Sequence, residues 1–222
     1  SEWATEIPAE RLTSVQWAEA ESFQRNLFLL WSYVHHNQIV LTSRGWVPKR
    51  HWSRLCQDLW GTAKGTLQAR NEGETGSLHF LRLLMEEMGL LERSGQVLQT
   101  TPGSRDFLAL SLQARAGRAY RAWLRTSAWD ELSRIPELSI GEARKGDGRL
   151  ASIVRSGRQY VTGLLRHRPP ERWLSVSELI EQARAVNYEF LFPRYRNHPG
   201  LHNSHRGHSN ALSWELPLHD AT

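Results

Sequence analysis

Four histidines near the end of the chain, His198, His202, His205 and His208, are spaced by four, three and three residues. Imidazoles at such intervals can bind zinc or another borderline metal. The Pro-Gly and Arg-Gly pairs between them argue against a helix, and without a helix the spacing loses its geometric force, so no metal site is expected. His35 and His36 read as a helix end, where imidazole suits the negative pole of the dipole. A nucleotide motor needs a glycine-rich loop closing on Gly-Lys-Ser/Thr, and Gly61-Thr-Ala-Lys-Gly-Thr66 holds those residue types in another order, as a flexible loop would. Glu86 and Glu87 are adjacent on an expected helix, about 100° apart, so they do not converge on one site as an acid/base pair. The expectation is a binding protein with no catalytic residues and no cofactor.

Arginine is the residue type with chemistry to spare. Lys49, Lys64 and Lys145 are the only lysines among 28 basic residues, leaving 25 arginines, a bias that codon usage in a GC-rich genome explains as well as function does. Its distribution says more. Residues 111–172 hold 13 basic and 6 acidic side chains, a net +7, whereas 1–110 and 173–222 each sum to −1. A concentrated positive segment points to an anionic partner, nucleic acid first, with a solvated arginine face as the alternative. The candidate phosphate contacts are Lys49, Arg50 and Arg54, then Arg93, then Arg115, Arg118, Arg121 and Arg125, and finally Arg155 and Arg158. Such contacts give sequence-independent affinity with a marked salt dependence.

These side chains need elements to carry them. Trp17, Phe23, Leu27, Leu30, Trp31 and Val34 recur at three- and four-residue intervals and predict one long amphipathic helix, with Ser14 as its cap. Gln38 to Thr42 reads as a short strand. Pro48 suits the first turn of a second helix that turns Trp52, Leu55, Cys56 and Leu59 inward. Gly61 to Gly76 reads as a surface loop. A third helix follows, with Leu78, Leu81, Leu84, Met85 and Met88 on its apolar side and Gly89 at its end. Leu90 to Thr100 reads as a β-hairpin around Ser94-Gly95, and Thr101-Pro102-Gly103 opens a helix through Phe107 and Leu110.

Helix, strand, helix, helix, hairpin is the winged-helix order, and the fold class expected is mainly α with small β-hairpins. In a winged helix the third helix enters the major groove and must offer basic or small polar groups. Here it offers His79 and Arg82 but also Glu86 and Glu87, which phosphate would repel, so base reading by this helix is doubtful. A basic helix follows, its stripe formed by Leu112, Ala116, Ala119, Tyr120, Trp123 and Leu124. Beyond a charged, glycine-rich linker, Leu150 to His167 is helical, with Ile153, Val154, Val161, Leu164 and Leu165 as its buried face. Pro169-Pro170 stops it. Arg172-Trp173-Leu174 then resembles a strand, and Ser175 with Glu178 caps a helix that buries Val176, Leu179, Ile180 and Ala183. The organisation expected is a winged-helix module over 14–110, a connecting basic helix over 111–135, a linker over 136–148, the start of a second winged-helix-like module over 149–192, and an irregular histidine-rich tail over 193–222.

Ile39-Val-Leu-Thr-Ser-Arg-Gly-Trp-Val-Pro-Lys-Arg-His-Trp-Ser-Arg-Leu55 resembles a segment of the bacterial family whose helicase-associated domain is similar to the amino-terminal region of XPB-type DNA helicases. Leu81 to Leu91, Leu98-Gln-Thr-Thr-Pro-Gly103, Tyr120 to Leu132 and Trp173 to Ile180 are similar to later stretches of that family, so the resemblance spans much of residues 23–192. It implies tandem winged-helix folding in a DNA-processing or regulatory setting, and not helicase activity in this chain.

Two function classes therefore stand side by side. One is a winged-helix region that binds DNA through its backbone or positions a DNA-processing assembly. The other is a protein-docking module, to which an acidic, apolar third helix is well suited. No apolar run approaches the roughly 18–20 residues of a membrane helix, so no membrane is expected as partner. Cys56, the single cysteine, reads as a small buried hydrophobe, and the lack of a disulfide framework fits a cytoplasmic setting. The first residue is Ser1 and no signal segment follows it, as in a processed chain or a fragment. Oligomeric state is not legible.

Overall fold

A computed structural model describes residues 20–59, 68–135, 149–167 and 175–187. The expected cap at Ser14, the linker over 136–148, the strand at Arg172 to Leu174 and the histidine-rich tail lie outside the described residues.

Helix α1 (Ala20–His36) buries Leu27, Leu30 and Val34, the three- and four-residue spacing that places side chains on one face. It gives way to β1 (Ile39–Val40), shorter than the sequence suggests. Gly45, at φ 73, turns the chain towards α2 (Lys49–Asp58). Pro48 stands one residue before that helix as its N-cap, in extended conformation, rather than in its first turn. Trp52, Leu55 and Cys56 face inward as expected, with Leu59 just beyond the helix.

A 3-10 turn (Glu72–Thr75) leads into α3 (Ser77–Glu87), and Gly89, at φ 69, releases the chain after it. Strands β2 (Leu91–Ser94) and β3 (Val97–Thr100) form a hairpin whose two-residue loop starts with Gly95 at φ 60. β1 pairs antiparallel with β3, Ile39 opposite Leu98, so the three-stranded sheet runs β1-β3-β2. Helices α4 (Ser104–Ala109) and α5 (Leu112–Arg125) follow, then a 3-10 turn at Leu132–Arg134, α6 (Arg149–Arg166) and α7 (Val176–Val186). The described chain is thus mainly helical with one small antiparallel sheet. One core joins α1, α2, α3, the sheet, Phe107 of α4 and two alanines of α5.

Several sequence expectations change. The stretch read as a surface loop ends in the 3-10 turn, where Glu72 is 0% exposed and Thr75 is buried. Helix α5 buries Ala119 and Ala122 where it meets α3 and α1, and Trp123 packs on the same core, while Leu112, Ala116 and Tyr120 of the expected stripe are exposed. On α6, Val154 is buried but Leu165 is exposed. On α7, Val176 and Ile180 are exposed and Ala183 alone is buried.

Candidate nucleic-acid interface

Helix α3 comes first, since the element order expected from the sequence would place it in the groove. Its single arginine, Arg82, is 1% exposed. Arg82 donates to the carboxylates of Glu72 and Glu86, and Glu72 also accepts from the Val47 backbone N–H at 2.6 Å. A buried charge survives when it is paired and hydrogen-bonded on all sides, and Glu72 meets that requirement with His79 Nδ1 at 3.3 Å as a further partner. Burial opposes ionisation of Glu72, but His79, Arg82 and the Val47 N–H together hold its carboxyl below the usual range. Arg82 is therefore part of the fold's interior and not a side chain available to base edges.

The outer side of α3 is also covered. Trp129, in the connection after α5, meets Phe80 edge-on at 5.0 Å between ring centroids and lies 6.0 Å from the His79 ring. Arg134 lies over the Trp129 ring at 3.7 Å and donates to the Gly73 carbonyl at 3.2 Å, so the cover is tied to the 3-10 turn that precedes α3. What remains open on α3 towards solvent includes Glu87, with Glu86 partly exposed, and both carry the wrong charge for phosphate.

Helix α5 is capped by Ser111, whose hydroxyl accepts from the Ala114 N–H at 3.2 Å, and its four alanines and four arginines favour helix, with Gly117 the exception. Its four arginines have different fates. Arg118 donates to the Met88 carbonyl at 2.9 Å and lies over Phe107 at 5.5 Å, closing the carboxyl end of α3 where a cation is favoured. Arg115 is half-buried. Arg121 and Arg125 are exposed and make no ion pair among the described residues.

Helix α6 packs on α5. Arg155 points to solvent, but Arg158 is 6% exposed and is removed from the candidate contacts. Its Nη1 donates to the carbonyls of Trp123 and Thr126 at 2.6 and 2.8 Å, Nη2 to the Trp129 carbonyl and Glu131 at 2.7 and 2.8 Å, and Nε to Glu131 at 2.9 Å. A guanidinium has five N–H donors, and all are used here. A sequence signal for this exists. Arg158 stands between Val154 and Val161 on the apolar side of α6, as Arg82 stands between Leu78 and Met85 on α3, and a long cation on a buried stripe is a structural cation.

On α2, Lys49, Arg50 and Arg54 are exposed. Lys49 lies 5.7 Å from the Trp52 ring centre, and Arg50 Nε donates to His51 Nε2 at 3.2 Å. That contact requires a neutral His51, whose Nδ1 then faces the Tyr33 hydroxyl at 3.0 Å; burial and Arg50 together lower its pKa. At the hairpin, Arg93 is 40% exposed and pairs with Glu86 at 3.2 Å. The ten candidates thus separate into an α2 group of three, Arg93 paired with Glu86, the fold-bound Arg118 and Arg158, the half-buried Arg115, and an exposed set of Arg121, Arg125 and Arg155 on the α5–α6 pair.

Among the described residues no helix is long and apolar enough to cross a membrane, and no group of three or more potential metal ligands converges. No family model, no curated protein and no solved structure matches this chain.

Proposed function

We propose that this chain is a non-catalytic, winged-helix-type module that holds nucleic acid by its phosphate backbone through the α5–α6 helix pair, without base reading by α3. The observation that carries this reading is compositional and spatial at once: two helices in mutual contact hold eight arginines and no aspartate or glutamate. Even with Arg118 and Arg158 engaged in the fold, Arg121, Arg125, Arg155 and Arg166 are exposed on that pair. Two helices with no carboxylate of their own, and with Glu131 taken up by the buried Arg158, leave these exposed arginines an excess positive field, and duplex or single-stranded nucleic acid is the polyanion such a field attracts.

The winged-helix part of the proposal is supported by the order α1-β1-α2-α3-β2-β3 and by a sheet arranged β1-β3-β2, with the hairpin in the position of the wing. Membership of the helicase-associated family remains a proposal that rests on its sequence motifs alone.

The competing reading, a protein-docking module, is favoured by one feature: Val176, Ile180 and Val186 of α7 are 72%, 45% and 63% exposed. Fluorescence titration of labelled random duplex and single strands at two salt concentrations separates the two readings. Binding at low salt that weakens steeply as salt rises supports the backbone reading, and no binding at low salt overturns it.

A further inference from the structure

The hairpin cation Arg93 does not stand free. Glu72, Arg82, Glu86 and Arg93 form a chain of alternating charge running from the interior to the surface, with side-chain exposures of 0%, 1%, 21% and 40%. Glu86 serves both arginines: its Oε1 accepts from Arg82 Nη1 and, at 3.4 Å, from Arg93 Nε, and its Oε2 accepts from Arg93 Nη2 at 3.2 Å. The Arg93 guanidinium is also laid against the β1–α2 loop: a Cβ at Gly45 would fall 2.6 Å from Arg93 Nη1, and Gly45 has φ +73. The loop backbone therefore leaves room for that one cation, and the carboxylate of α3 holds it there. Around it the loop and the start of α2 carry Arg44, Lys49 and Arg50, all exposed.

We infer that Glu86 is an internal competitor for phosphate at Arg93. Resting on the backbone-binding reading, the inference adds a regulated contact to it: a phosphodiester oxygen of bound nucleic acid replaces the Glu86 carboxylate on Arg93, and Glu86 keeps Arg82. The exchange is physically accessible because Glu86 holds its two partners differently. Its contact with Arg82 is to a side chain only 1% exposed and belongs to the Glu72 network, whereas its contact with Arg93 is longer, at 3.2 and 3.4 Å, and reaches a guanidinium 40% exposed, where salt screens it. The hairpin contact is thus held in reserve and contributes only part of a free arginine's affinity.

The test is a double-variant cycle on the whole chain, with E86Q, R93A and E86Q/R93A titrated with random duplex at several salt concentrations. The side-chain amide oxygen that E86Q introduces can still accept from Arg82, so circular dichroism and thermal melting should report an intact fold. The expected result is that E86Q tightens binding about two- to five-fold and steepens the salt dependence by about 0.9 in log–log slope, one added phosphate contact. In the R93A background the same Glu-to-Gln change should have almost no effect. Equal tightening in both backgrounds would mean a general field effect and overturns the inference, as does an E86Q protein that binds like wild type. If neither wild type nor E86Q binds at low salt, the backbone reading falls and this inference with it. Binding by wild type with no E86Q effect removes this inference alone.

Discussion

The guanidinium of Arg158 holds both oxygens of the Glu131 carboxylate, at 2.9 Å from Nε and 2.8 Å from Nη2, across 27 residues of chain. With its three bonds to main-chain carbonyls of Trp123, Thr126 and Trp129, it ties α6 to the turn that leaves α5. The basic helices are thereby set in a fixed relation to one another, and the Trp129 cover is fixed over α3.

Replacing Arg158 should therefore cost far more than replacing its exposed neighbour. R158K keeps the charge but loses the planar fork, and R158A leaves several carbonyls without a donor. The expected loss for R158A is about 2–4 kcal/mol from denaturant midpoints. R155A should change the midpoint negligibly. Equal effects of the two would show that the clamp does not hold in solution.

Trp129 is the second structural claim. W129A should destabilise the chain by about 1–3 kcal/mol, since the side chain is half-buried and Arg134 loses its ring. It should leave affinity for random duplex within about two-fold and introduce no sequence preference. A gain of sequence discrimination in W129A would show that α3 reads bases once uncovered.

Both Arg82 and Arg158 show how far the sequence can be read. The order of helices and strands, the hairpin at Ser94-Gly95 and the inward set Trp52, Leu55 and Cys56 follow from periodicity and turn residues, which are local signals. Net charge misassigns the charged positions, because a count does not ask which face each arginine occupies. Glu72 is less legible still. It lies in a glycine-rich stretch without periodicity, and its partners are 25 residues upstream and 10 downstream, so only the fold brings them together. The exposed row on α7 illustrates the opposite error, an amphipathic pattern taken to mean burial.

The buried carboxylate has a consequence for acid stability. Glu72 has a depressed pKa in the fold, so its stabilising contribution is complete above the ordinary glutamate value of about 4.3 and is lost as pH falls below it. E72Q should be less stable than wild type at pH 7 and should show a shallower loss of stability between about pH 5 and 3. Parallel acid limbs for the two proteins would contradict the assignment.

Cys56 is 5% exposed, and burial together with the nearby Glu72 carboxylate pushes its thiol up to about 11. A thiol reagent at neutral pH should react with it only as fast as the fold opens, and at least about tenfold faster in denaturant. Rapid modification of the native chain would mean that the core around α2 is open.

The central claim is that exposed arginines of the α5–α6 pair hold phosphate. The most direct measurement is the salt dependence of random-duplex affinity for R121A/R125A/R155A, compared with wild type and with a K49A/R50A/R54A control. The account predicts that the log–log salt slope falls by about 2–3 in the first variant, at about 0.9 per lost phosphate contact, with a smaller change in the control. A wild-type slope and affinity in R121A/R125A/R155A would contradict it.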